Sequence, residues 1–336
     1  MERLPDFQLS RPATYAEAAA LLAAEPGARL LAGGTDLVPN LRRGLGSPTR
    51  LVDLGGVQGH AAIEIGPVDW TLGAGVTLAQ LAADKRLGGA SAALGDGARA
   101  VAGPGHRTVA TLGGNLCQDT RCVFYNQSEW WRRANDYCLK RGGERCHVAP
   151  QGQRCHASFS GDLAPPLLVL DAEVEVLSGR GLRRLRLAEI YCDDGAAHLA
   201  LETDEVLTRV ILAAPASPWV SGYRKARVRG AMDFPLAGVA CALRIEDGNV
   251  TGLRIALTGT NSYPLLLHGT EALQGQPLNE SALAALGKLV QKQVSPMRTT
   301  VTPSNYRRQV AAALTQRLVL ELAGVAGARR ERATVD

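Results

Sequence analysis

The stretch CQDTRCVFYNQSEWWRRANDYCLKRGGERCHVAPQGQRC, residues 117–155, carries five of the chain's seven cysteines and five of its fifteen aromatic residues. No other feature constrains the fold as strongly. The segment is polar and has no regular hydrophobic period. Ordering it costs about 1–2 kcal/mol of backbone entropy per residue, so it needs a cross-link to hold a shape. The spacing is Cys117-x4-Cys122-x15-Cys138-x7-Cys146-x8-Cys155. Structural zinc sites supply ligands as close C-x2–4-C pairs, and only Cys117 with Cys122 comes near that habit. Ferredoxin-type loops crowd three cysteines together, which this segment does not. Spacing alone leaves open a metal or iron–sulfur site, redox-sensing thiols and inert buried thiols. The Asp, Arg, Asn, Gln and Lys between the cysteines argue against thiols that merely pack in an apolar strand. His147 and His156 each follow a cysteine and are minor ligand candidates. Phe124, Tyr125, Trp130, Trp131 and Tyr137 are expected to wall a bound cluster from water.

The surrounding chain is ordinary. Its 336 residues suggest two or three domains, and 46% hydrophobic with 21% charged residues is a globular balance. A net charge of +5 is mild, and no basic run resembles a DNA-reading helix. The apolar stretches are too short to span a bilayer. The N-terminus MERLPDFQLS lacks the order of a signal peptide, so the expectation is a cytoplasmic protein with reduced thiols.

Short α/β units open the chain. Thr14 with Glu17 predicts a capped helix YAEAAALLAAE, stopped by Pro26-Gly27. RLLA then runs into GGTDL, and RLVDL at 50–54 is a second strand. TLGAGVTLAQLAA repeats the strand–turn–helix pattern with Thr77 and Gln80 as caps. VAGPGHRTVATLGGN (101–115) reads as a glycine-rich connection, and LVLDAEVEVLS (168–178) as a half-buried antiparallel strand. A domain boundary falls around 212–218, which includes AAPASP. Strands at 222–229, 236–245 and 251–258 then precede amphipathic helices near 280–293 and 304–323, an α+β order. The tail is expected to be charged and frayed.

Two glycine pairs, GGTD after RLLA and TLGGN at 111–115, would present successive backbone N–H groups to a diphosphate. G-x-G-x-x-G is missing, which argues against a nicotinamide site of the Rossmann kind.

Four motifs together carry a resemblance: AGGTDL (32–37), ATLGGN (110–115), GDLAP (161–165) and YRKAR (223–227). Their order and spacing resemble the FAD-binding subunits of the xanthine dehydrogenase and carbon monoxide dehydrogenase family, the molybdenum hydroxylases, across nearly the whole chain. In most relatives the second motif leads quickly to the third, whereas here 47 positions separate Asn115 from Asp162. That insertion, with LGGNLCQDTRC and FYNQSEWWR, resembles the branch of 4-hydroxybenzoyl-CoA reductase β subunits.

The resemblance implies an α+β fold: a two-subdomain FAD-binding domain of the vanillyl-alcohol-oxidase or PCMH type, followed by a smaller α+β domain. The implied boundaries are 1–216 (subdomains about 1–57 and 58–216, insert about 117–157), 217–325, and a charged tail at 326–336. It implies a 4Fe–4S cluster on Cys122, Cys138, Cys146 and Cys155, leaving Cys117 near the flavin. For FAD it implies Leu30, Leu31, Ala32, Gly33, Gly34, Thr35, Asp36 and Leu37 around the diphosphate. Val101 would lie by the flavin, and Thr111, Leu112, Gly113, Gly114 and Asn115 would form a second loop. Asp162 and Lys225 complete the set. A Lys225 cation at the flavin edge would favour the reduced anionic form; the plain alternative is a surface cation. Thr208 stands where some relatives have leucine, and its role is left open.

The implied partners are a molybdopterin-binding large subunit and a 2Fe–2S small subunit, in a dimer of heterotrimers, with reduced ferredoxin as donor. Neither nucleic acid nor a membrane is implied, and no catalytic residue falls on this chain. Within the insert Arg121, Arg132, Arg133, Lys140, Arg141, Arg145 and Arg154 outnumber Asp119, Glu129, Asp136 and Glu144, which suits an acidic docking protein. The rival readings are a flavoprotein serving another aromatic or thioester substrate, a zinc-stabilised binding module and a stand-alone flavin oxidase.

Overall fold

The computed structural model describes residues 3–214, 218–298 and 302–333. The first unit contains β1 (Gln8–Ser10), α1 (Tyr15–Ala24), β2 (Ala28–Leu31), α2 (Leu37–Arg42) and β3 (Arg50–Asp53). Its sheet has the order β1-β3-β2, with both pairings parallel. Parallel neighbours require crossover connections, and the helices occupy them. Thr14 Oγ1 accepts the Glu17 N–H at 3.1 Å. The Glu17 carboxylate reaches back to the Ala13 N–H at 2.8 Å, one residue beyond the reciprocal capping box. Ala18, Ala19 and Leu22 on α1 pack on Val52 and Leu54.

The second unit holds β4 (Ile63–Ile65), β5 (Asp69–Gly73), α3 (Leu78–Ala83), α4 (Ala92–Ala100), α5 (Pro104–Arg107) and α6 (Leu112–Leu116). It continues with α7 (Glu129–Ala134), α8 (Ala164–Val169), β6 (Glu173–Ser178), β7 (Gly181–Arg186) and β8 (Val206–Ala213). The five strands order as β4-β5-β8-β6-β7, antiparallel throughout. Leu72, Leu78, Leu94, Leu112, Phe159 and Leu167 lie in its core. On α3, Thr77 and Gln80 form the full capping box.

Two expectations are corrected here. Only the second half of 168–178 is a strand, because Leu168 and Val169 close helix α8, which Pro165 opens. A short apolar run does not distinguish a buried helix end from a strand. The glycine-rich connection at 101–115 contains two short helices, α5 and α6.

The third unit is β9 (Val220–Ala226), β10 (Ala237–Glu246), β11 (Asn249–Thr258), β12 (Leu265–Leu266), α9 (Glu280–Gln293) and α10 (Ser304–Ala333). Its antiparallel sheet runs β12-β11-β10-β9, and Leu286, Val290, Leu318 and Val319 of the helices share a core with Val239 and Ile255 of the strands. The molecule is therefore α+β, with the first two units followed by a third that has its own sheet and core. The last helix extends through Ala333, into the stretch expected to fray, where Ala, Arg and Glu all favour helix. Residues 215–217, within the expected boundary, and 334–336 of the expected tail lie outside the described residues. Among the described residues, no helix is long and apolar enough to cross a membrane.

Candidate functional site

β2 ends at Leu31, and the chain turns at once through Ala32, Gly33 and Gly34. Gly34 has φ +69°, which favours glycine. A Cβ on Gly33 would sit 2.0 Å from the Val109 carbonyl oxygen, so two backbone turns meet there with no room for a side chain. Thr35 and Asp36 follow, and Leu37 begins α2. Asp36 forms an ion pair with Arg121, accepts from Asn40 Nδ2 at 3.3 Å, and lies 3.5 Å from Gln118 Nε2.

The second loop is fixed with equal economy. Thr111 Oγ1 accepts the Gly114 N–H at 3.1 Å and caps α6. The N–H groups of Leu112 and Gly113 donate to Val76 and Ala74 carbonyls at 2.8 and 2.7 Å. A Cβ on Gly114 would approach Ala32 Cβ to 3.9 Å, so this turn lies against the first loop. Asn115 Oδ1 accepts the Leu163 N–H at 2.9 Å, joining TLGGN to GDLAP across the insert.

Asp162 and Lys225 meet at 2.8 Å, with side chains only 5% and 4% exposed. Tyr223 Oη donates to the other carboxylate oxygen at 2.6 Å, and Lys225 Nζ donates to the Ala100 carbonyl at 3.2 Å. Burial pushes the Asp162 carboxyl up, while Lys225 and Tyr223 oppose that push. Lys225 is thus no surface cation. Beside Ala100, Arg107 Nη1 holds the carbonyls of Val101 and Ala102 at 2.7 and 3.2 Å. Ala102 has φ +39°, a strained value for a residue with a Cβ. The structure therefore gathers residues 30–37, 111–115, Val101, Asp162 and Lys225 around one region. Gln118, Tyr223 of the YRKAR motif and Arg121, which the sequence offered only as a docking charge, also belong to this network.

Thr208 is buried in β8, donating to the Glu175 carbonyl at 3.2 Å. Burial pushes the Cys117 thiol, at the end of α6, up to about 12. Cys117 does not line the cavity formed by the other insert cysteines.

That cavity is lined by Cys122, Cys138, Cys146 and Cys155 with Phe124, Tyr125, Leu139, Lys140, His147 and Val148. Backbone N–H groups of Tyr125 and Phe124 point at the Cys122 sulfur, and those of Lys140 and Arg141 at Cys138. Those of Ala149, His156 and Val148 point at Cys146, and that of Ala157 at Cys155. Burial raises the Cys122 and Cys138 thiols. A hydrogen bond from Cys155 holds the Cys146 thiol low, at about 4, and raises Cys155 in turn. Among the described residues, no group of three or more His, Cys, Asp or Glu side chains is arranged to hold a metal ion.

The loop is held by a buried arginine and a half-buried one. Arg132, 1% exposed at its side chain, donates to the carbonyls of Gln127, Tyr125, Arg43 and Gly44 and pairs with Glu129 at 2.7 Å. Arg141 reaches the same Gly44 carbonyl at 2.9 Å. The expected aromatic wall is only partly formed. Phe124 and Tyr125 line the cavity and Trp131 packs behind Phe124 at 6.2 Å, but Trp130 is 76% exposed and Tyr137 bonds Glu129. His147 Nε2 donates to the Tyr137 carbonyl at 2.5 Å.

Comparison with known proteins gives the class. Residues 5–215 match the FAD binding domain in molybdopterin dehydrogenase, and residues 221–322 match the CO dehydrogenase flavoprotein C-terminal domain. The chain belongs to this family of FAD-binding subunits of molybdenum hydroxylases. Among particular relatives, it is 32% identical to the aldehyde oxidoreductase FAD-binding subunit PaoB of Escherichia coli (strain K12), over 80% of this chain and 86% of that one. It is 28% identical to the xanthine dehydrogenase FAD-binding subunit of Escherichia coli O157:H7, over 95% and 97%. The corresponding chain of a solved Cu,Mo-CO dehydrogenase in its cyanide-inactivated form superposes with a TM-score of 0.79 at 25% identity, covering 96% of this chain and all of that one.

Proposed function

We propose that this chain is the FAD and 4Fe–4S subunit of a molybdenum-dependent 4-hydroxybenzoyl-CoA reductase. It takes single electrons from reduced ferredoxin and passes them to a 2Fe–2S small subunit and a molybdopterin large subunit. There the phenolic hydroxyl is removed reductively to give benzoyl-CoA, a step of anaerobic aromatic degradation in the cytoplasm. The proposed assembly is a dimer of heterotrimers. The FAD-binding domain would cover 1–216 with its insert at 117–157, and the C-terminal domain 217–325.

One observation carries the reading: four cysteine sulfurs, each receiving backbone N–H groups, surround a single cavity without a carboxylate in its lining. Hydrogen bonds to sulfur and exclusion of water are the means by which a protein tunes a thiolate-bound cluster. A cubane spreads its four thiolates over four iron corners, a wider arrangement than one ion demands. When bound, the two cofactors would supply one-electron chemistry at the insert and one- or two-electron chemistry at the flavin.

This chain's own residues would do the holding. Cys122, Cys138, Cys146 and Cys155 would ligate the cluster. Residues 30–37 would cradle the FAD diphosphate with 111–115 as the second loop beside them, Val101 would contact the flavin, and Lys225, fixed by Asp162, would bring positive charge to it.

The docking charge is smaller than the residue count suggests. Arg132 and Lys140 are buried and partnered inside, and Arg121 is mostly so. Arg133 and Arg145 are exposed, with Arg141 and Arg154 half-buried.

Purification without oxygen tests the reading. The expected protein is yellow-brown, with one FAD and about four irons and four acid-labile sulfides per chain. A colourless protein holding zinc would overturn it. A second reading, a related hydroxylase subunit serving another aromatic or CoA thioester substrate, is favoured by the breadth of the relatives, which include a nicotinate dehydrogenase FAD-subunit of Eubacterium barkeri. An acyl-CoA turnover screen of the purified complex with a low-potential dye separates the two.

A further inference from the structure

The cysteine cavity has one lysine in its wall, and the charge of that lysine acts on the Cys138 and Cys155 thiols. Lys140 lines it, and its side chain is only 5% exposed. Its Nζ donates to Asp119 Oδ1 at 2.6 Å, to the Gly195 carbonyl at 2.8 Å and to Thr120 Oγ1, so all three N–H bonds are used. The same ammonium stands 4.7 Å from the centre of the Tyr125 ring, which also lines the cavity. A lysine is almost never buried so fully without a reason. Packing alone would be served by a methionine, without the desolvation cost of a charge.

We infer that Lys140 is a positioning charge for the cluster, raising its reduction potential by stabilising the more negative, reduced state. This rests on the proposed cluster. One-electron reduction by an external low-potential donor adds one negative charge to a group already surrounded by four thiolates. A fixed cation behind the wall lowers the cost of that charge, and the low local polarity strengthens the effect. The partner carboxylate only partly cancels it, because Asp119 does not line the cavity and its side chain is 35% exposed, where water screens it. Arg132 and Arg141 approach the Tyr125 side of the same wall, but their guanidinium groups are bound to carbonyls at 43–44 and are not among its lining residues. His198, which feels both Lys140 and Asp119, is held neutral near pH 7 by burial, with its pKa pushed down to about 4.

The experiment uses the anaerobically purified complex and a dithionite titration followed by the spin signal of the reduced cluster. Lys140→Met keeps the stem and removes the charge. It should shift the reduction equilibrium at least tenfold toward the oxidised form, or 59 mV lower for one electron. Lys140→Arg should restore most of the shift, and Asp119→Asn should shift the equilibrium the opposite way. If Lys140→Met keeps its four irons and its equilibrium stays within threefold of wild type, the inference fails. Should Lys140→Met lose its iron, Asp119→Asn decides alone, and an unshifted equilibrium there also overturns the inference. Wild-type protein without iron would instead sink the cluster reading itself, a distinguishable result.

Discussion

Lys225 Nζ lies 2.8 Å from Asp162 Oδ2, and this buried ion pair joins two domains. Asp162 sits just before α8 of the FAD-binding domain, while Lys225 is on β9 of the C-terminal domain. Removing one partner leaves the other charged and buried, which costs about 3–5 kcal/mol. Lys225→Met should therefore lower the urea midpoint and weaken FAD retention together. Asp162→Asn with Lys225→Met should recover part of the stability but not the flavin. Equal retention of FAD by the single variant and wild type would remove Lys225 from the site.

Gly33→Ala tests the contact between the two loops. Its new Cβ would meet the Val109 carbonyl at 2.0 Å, and backbone on both sides leaves no flexible atom to yield. We expect at least tenfold weaker FAD binding, about 1.4 kcal/mol, with the secondary structure retained. Bound flavin per chain after desalting, with circular dichroism as control, reads the outcome.

Cys122→Ser and Cys117→Ser form a pair that separates cavity from neighbour. The two thiols are five residues apart, yet only Cys122 lines the cavity. Iron content should fall to a small fraction with Cys122→Ser and stay at the wild-type level with Cys117→Ser. Equal loss in both would mean the cavity does not define the ligand set.

Acid should loosen the base of the insert. His198 Nε2 donates to the Gln118 carbonyl at 2.9 Å, and burial lowers its pKa from 6.5 to about 4. The unfolded chain therefore binds the proton more readily than the folded one. The stability from this neutral histidine is present above pH 6.5 and is lost as pH falls toward 4. Urea midpoints measured across that window should drop less steeply for His198→Gln than for wild type.

Much of the fold was legible because short capped helices and alternating strands announce themselves locally. Thr77 with Gln80 formed the expected capping box, and the strands of the last domain fell close to the expected runs. The stretch 168–178 misled, since its apolar start is the end of a proline-initiated helix. At the site, the motif glycines were visible as unusual backbone demands. Lys140, Arg132 and Arg121 were not, because a charged residue in a polar loop reads as solvated until the fold supplies distant partners. Arg132 finds its partners at Arg43 and Gly44, and Arg121 at Asp36 and Asn40. Trp130 failed in the opposite sense: its size suggested a wall, yet it faces solvent.

The arginine clamp has a consequence for the order of assembly. Arg43 precedes Arg132 by 89 residues, so a ribosome completes the turn long before the side chain that grips its carbonyl exists. The nascent turn's carbonyls stay hydrated until translation has passed the insert. The cysteine loop thus closes onto a turn that is synthesised before it.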